Sequence, residues 1–85
     1  MELQTSSVHQ YLVDVDGAKY QVTASSYMEA AQTAVHQSGG VLTMLKPFGV
    51  SYAGHVYLAD ASYDSGDLKM MIVVWHPYHG KRVTK

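Results

Sequence analysis

Residues 11–24, YLVDVDGAKYQVTA, alternate apolar and polar positions on both sides of Asp16-Gly17. A period of two predicts half-buried strands. Asp-Gly predicts the two-residue hairpin turn that takes positive φ at both positions. Such a turn fixes the register. Val15 faces Ala18, Val13 faces Tyr20 and Tyr11 faces Val22, so one face of the hairpin is apolar or aromatic throughout. On the other face Asp14 stands opposite Lys19 as a cross-strand charge pair.

The period then changes. In SSYMEAAQTAVHQSGG (25–40), Tyr27, Met28, Ala31, Ala34 and Val35 make one stripe at helical spacing. Glu29, Gln32, Thr33, His36 and Gln37 fall largely on the wet side. Ser26 followed by Glu29 is a capping box. Gly39-Gly40 supplies the left-handed residue that ends a helix.

From Val41 the chain reads as strands. VLTMLK (41–46) is expected to stop at Pro47, which cannot donate to a ladder, with KPFG as a turn. VSYAGHVYLADASY (50–63) reads as one bent strand or two, with Gly54 as a bulge or kink. DSGD (64–67) is the next turn. LKMMIVVWH (68–76) is the last strand, apolar on both faces: Leu68, Met70, Ile72 and Val74 on one, Met71, Val73 and Trp75 on the other. An antiparallel sheet usually keeps one face wet. This strand is therefore central and covered on both sides, or its second face is an interface. The fold expected is a single small α+β domain, a mainly antiparallel sheet with one helix packed on a face. The order is β-β-α-β-β-β. It spans residues 1–85, with 81–85 as a flexible basic tail.

Composition narrows the function classes. At 85 residues with 47% hydrophobic and 15% charged side chains, the chain is a folded domain with a small core. It has no Cys, which excludes disulfides, zinc–thiolate sites and a cysteine nucleophile. A small domain without disulfide staples is expected in the cytoplasm. MELQTSSVHQ lacks the pattern of a signal peptide. The longest apolar run, MMIVVW, is six residues, against about 20 for a membrane helix. No membrane partner is expected.

The net charge of −1 gives no general attraction to nucleic acid. Its distribution is uneven. Residues 1–67 carry seven acids and two lysines, whereas 68–85 carry Lys69, Lys81, Arg82 and Lys85 with no acid.

His76 and His79 are three apart, but zinc needs three or four ligands. His9, His36 and His55 are scattered along the chain, so no metal is expected. GVSYAG (49–54) approaches the G-x-S-x-G elbow and fails at Ala53. That motif also needs a helix after the Ser and a larger sheet. Asp14/Asp16 and Asp60/Asp64/Asp67 sit in turns and lack the Glu that closes a calcium loop. No cofactor is implied and no enzyme is expected.

Two binding classes remain. The basic tail and the tyrosines suit weak nucleic-acid contact, but GKRVTK offers only three charges. Protein binding fits better. Seven Tyr and one Trp are a high load, and these residues are enriched where a wet rim meets an apolar centre. About half of them are expected in the core of so small a domain. The two-sided apolar strand also allows a homodimer, as a structural or assembly protein.

Residues 11–45 resemble the opening of several small anti-CRISPR proteins of phages and mobile elements, some of them inhibitors of type I systems. The order of folding signals carries the resemblance. A strand opens with Tyr11-Leu12-Val13 and leads to a hairpin. A strand ending Val22-Thr23-Ala24-Ser25 leads to an Ala-rich helix with Glu29-Ala30-Ala31, a break, and a strand from Gly40-Val41. The rest of the chain gives no match. The resemblance implies a non-enzymatic inhibitor that blocks a CRISPR–Cas effector or its nuclease by occupying a surface, in the host cytoplasm. Many such proteins are strongly acidic mimics of DNA. This chain departs from them, which implies mixed aromatic and charged contacts. No family residue carries over. The contact is expected at the C-terminal end, where aromatic, imidazole and positive groups coincide: Trp75, His76, Tyr78, His79, Lys81 and Arg82, with Tyr57 and Tyr63.

Overall fold

A computed structural model of the protein describes residues 8–51 and 54–76. Its elements are β1 (His9–Val15), β2 (Ala18–Ala24), α1 (Tyr27–Gln37), β3 (Val41–Ser51), β4 (Gly54–Tyr63) and β5 (Gly66–Trp75). They form one antiparallel five-stranded sheet in the order β2-β1-β5-β4-β3, with α1 across one face. The domain is a single small α+β unit, as expected.

The hairpin is built as its sequence dictates. Asp16 and Gly17 take φ of 52° and 92°. Val15 pairs with Ala18, Val13 with Tyr20 and Tyr11 with Val22. Asp14 has two tasks. Its Oδ1 accepts the Gly17 backbone N–H at 2.8 Å, and its Oδ2 pairs with Lys19 Nζ at 3.1 Å.

The helix is tied at both ends. Ser26 Oγ accepts the Glu29 backbone N–H at 3.1 Å. The Glu29 carboxylate reaches back one residue past the cap and accepts the Ser25 backbone N–H at 3.0 Å and the Ser25 hydroxyl. These bonds stabilise the ionised form and hold its pKa below the usual value. At the other end Gly39 N–H donates to His36 O and Gly40 N–H to Val35 O, both at 3.1 Å. With Gly39 at φ 95°, this is a Schellman ending.

Packing follows the stripe. Ala30, Ala31, Ala34 and Val35 are fully buried against the sheet. Three alanines leave no bulk between helix and strands, so α1 lies close enough to cross all five. Beneath it sit Tyr11, Val13, Val15, Val22, Ala24, Tyr57, Ala59, Ala61, Met70, Ile72 and Val74. All lie on one face of the sheet by register parity.

The region around Pro47 corrects the sequence reading. β3 does not stop there. It runs through Pro47 and Phe48 to Ser51, with register shifts between Leu42 and Met44 and between Pro47 and Gly49. An edge strand is where a ladder tolerates Pro, and the shifts absorb Thr43 and Phe48 as bulges. Thr43 Oγ1 donates to the Asp60 carbonyl at 3.0 Å across the first of them. Gly54 opens β4 at φ 135°, and a Cβ there would collide with the Val74 carbonyl oxygen.

Candidate functional site

β5 is central in the sheet and covered on one face only. Its Met70, Ile72 and Val74 face the helix; its Met71, Val73 and Trp75 face away. The register extends this second face across its neighbours in three adjacent rows. Trp75 lies beside Leu12 of β1. Val73 lies between Asp14 of β1 and Val56 of β4. Met71 lies beside Leu58, which is flanked on its other side by Lys46 of β3. Leu12, Val56, Leu58, Val73 and Trp75 are half-buried by one another, and Met71 is 50% exposed. Among the described residues, no element lies over them.

The rim of this face is charged. Asp14 and Lys19 stand at one side, with Lys19 Nζ 5.8 Å from the Trp75 ring centroid. Lys69 faces Asp60 and Asp67 faces Ser62 along the β4–β5 ladder, and Ser62 Oγ donates to Asp67 at 3.0 Å. With Lys46, the face carries three lysines and three aspartates around an apolar centre. That is the layout of a protein contact surface: apolar core and polar rim.

The structure splits the residues expected to bind. Trp75 lies on the open face. His76 turns to an aromatic cluster at the end of the sheet, its ring 5.3 Å from His9 and 5.2 Å from Tyr11. Tyr11 meets Tyr27 at 4.9 Å, and Tyr27 stacks on His55 at 3.7 Å and 26°. So His9, His55 and His76, far apart in sequence, share one cluster, while His36 stays exposed on the helix. Among the described residues no three His, Cys, Asp or Glu side chains gather as a metal ion requires.

Tyr57 belongs to the core instead of a contact surface. The alternation along β4 that turns Val56 and Leu58 outward turns Tyr57 under the helix, where it is 6% exposed. Burial raises its hydroxyl pKa, with Tyr27 and Tyr11 adding to the effect. Tyr11 is raised for the same leading reason. Tyr63 holds the helix end: its hydroxyl is 2.8 Å from Ser38 Oγ and its ring covers Gly40. Tyr78, His79, Lys81 and Arg82 lie outside the described residues.

Leu12, Val56 and Leu58 complete a face that the sequence marked only at β5. The signal for Val56 and Leu58 was present, since both alternate against Tyr57 and Ala59. What lacked a signal was the adjacency of β1 to β5, since β4 and β5 are joined by the short turn at 64–65. Among the described residues, no helix is long and apolar enough to cross a membrane. No family model, no curated protein and no solved structure matches the chain.

Proposed function

We propose that the protein is a non-enzymatic binding module that covers a protein surface with the open face of its sheet. One observation carries this reading. Six apolar side chains, Leu12, Val56, Leu58, Met71, Val73 and Trp75, lie contiguous in three rows on a face where an antiparallel sheet is usually polar. Contiguous exposed apolar surface of this kind marks interaction sites. Among the described residues, burial raises the pKa of Tyr11 and Tyr57, and the hydrogen bonds from Ser25 at the helix cap lower that of Glu29, which are structural causes.

The narrower reading is a steric inhibitor of a CRISPR–Cas effector, working in the host cytoplasm. Its support is the order of folding signals over residues 11–45. An apolar face with a mixed-charge rim suits occlusion of a protein subunit better than mimicry of DNA. Pull-down of purified effector subunits by the wild-type chain and by Met71→Glu tests it. Capture by the first and not the second is the expected result. Capture of no effector, or equal capture by both, overturns it.

A further inference from the structure

We infer that the open face of the sheet is a two-fold interface between two copies of this chain. The inference rests on the binding role proposed for that face; the second copy occupies it in the free protein and must leave before any other partner is bound there.

Size is the first argument. Five strands of seven to eleven residues make the face. At about 4.8 Å between strands and about 3.3 Å per residue, its footprint is on the order of 700 Å². A stable interface of standard size takes about 800 Å² from each partner. Nearly the whole face is therefore used when a second sheet packs on it, and no cleft is needed.

Shape agrees. The domain measures 41 × 35 × 19 Å, a slab one helix and one sheet thick. A β-branched and aliphatic sheet surface can pack face to face on another like it, the twist of each setting the angle between them, and two such sheets interdigitate about 10 Å apart. Val73, Val56, Leu58 and Leu12 are the side chains that fill such sandwiches.

Charge selects a copy over a different partner. The rim holds Lys19, Lys46 and Lys69 against Asp14, Asp60 and Asp67. Lys19 is paired with Asp14 at 3.1 Å, Lys69 stands opposite Asp60, and Lys46 and Asp67 are one of each sign. The face sums to zero. It neither repels its own copy nor presents the surplus of one sign that a basic or acidic partner selects. In an isologous pair residue i of one copy meets residue j of the other, so a rim that holds both signs can set lysines of one copy against aspartates of its partner.

The test is light scattering coupled to size exclusion on the full chain, from about micromolar to millimolar concentration. Three variants accompany it: Met71→Glu, Leu58→Lys and Val50→Lys. Met71 and Val50 are 50% and 72% exposed, so neither is needed for the monomer's core. Circular dichroism checks that each variant folds. Expected for the wild type is twice the 9.4 kDa chain mass. Met71→Glu and Leu58→Lys should give the single-chain mass with an unchanged spectrum, and Val50→Lys, on the β3 edge, should remain a dimer. A wild type that stays at the single-chain mass throughout overturns the inference. If Met71→Glu then still abolishes capture of a different protein, the face remains a binding surface and only its occupant was wrong. If it alters nothing, the binding role fails as well. A dimer lost in Val50→Lys and kept in Met71→Glu moves the interface to the strand edge and also overturns the inference.

Discussion

Val56 and Val73 stand side by side across the two strands β4 and β5, on the face opposite the helix, half-buried, with no element among the described residues lying over them. In most sheets of this kind such a pair is polar. Here two β-branched side chains fill the centre of an open surface. Replacing both by Thr keeps β-propensity and volume and adds a hydroxyl to each. The monomer should lose no more than about 1 kcal/mol of stability, because the pair packs against solvent and not against the helix. Binding through the face should weaken at least tenfold, or about 1.4 kcal/mol. Urea denaturation and a binding titration of the double variant check both. A stability loss of several kcal/mol would make the pair part of the monomer's own core.

Tyr63 and Gly40 lock the end of the helix to the sheet. A Cβ on Gly40 would stand 2.6 Å from the Tyr63 ring. Gly40→Ala should therefore cost about 1–3 kcal/mol by overpacking. Tyr63→Phe, which only removes the hydroxyl near Ser38, should cost about 1 kcal/mol. Tyr63→Ala should absorb most of the Gly40→Ala penalty in a double-mutant cycle, because the clash is with that ring. Additive losses would place the strain elsewhere.

Gly54 is held by its backbone. Its φ of 135° is disfavoured for any side chain, and a Cβ meets the Val74 carbonyl. Gly54→Ala should lose about 2 kcal/mol or more and expose amides at the start of β4 to exchange first. Unchanged protection of those amides would show that β4 does not depend on this close approach.

The helix cap sets an acid limit. Glu29 has its pKa lowered by the Ser25 hydroxyl and then by the Ser25 backbone N–H. A carboxylate lowered on folding stabilises fully above its unfolded value of about 4.3 and loses that contribution as pH falls through the lower folded value. Glu29→Gln should flatten this acid dependence of the melting temperature without changing its neutral-to-alkaline course. Ser26→Ala should cost about 1 kcal/mol at neutral pH, since its hydroxyl accepts the Glu29 backbone N–H.

Local signals in the chain were read well because each has a short-range cause. Asp16-Gly17 sets the hairpin register pair by pair, and Ser26, Glu29 and Gly39 mark the helix ends. The two apolar faces of β5 were visible as well. Which of those faces the helix covers was not, because that depends on the pairing of β1 with β5, which are distant in sequence, whereas β4 and β5 are joined by a short turn. For the same reason the meeting of His9, Tyr11, Tyr27, His55 and His76 left no trace in any one stretch. Pro47 misled because a Pro stops a central strand, whereas β3 is an edge. Among the described tyrosines, Tyr11 and Tyr57 are buried and Tyr63 braces the helix, consistent with about half of the aromatic side chains serving the core.

Trp75 is the only tryptophan in the chain, and it lies on the open face. Its fluorescence therefore reports whether that face is covered. The measurement is the emission maximum of wild type and Met71→Glu across a dilution series, with far-ultraviolet circular dichroism alongside. The expected wild-type emission is blue at high concentration and moves to the red on dilution. Met71→Glu should be red throughout, with the same fold. Identical emission from both proteins at every concentration, with the fold intact, would mean that the face stays open to water and does not pair with a second copy.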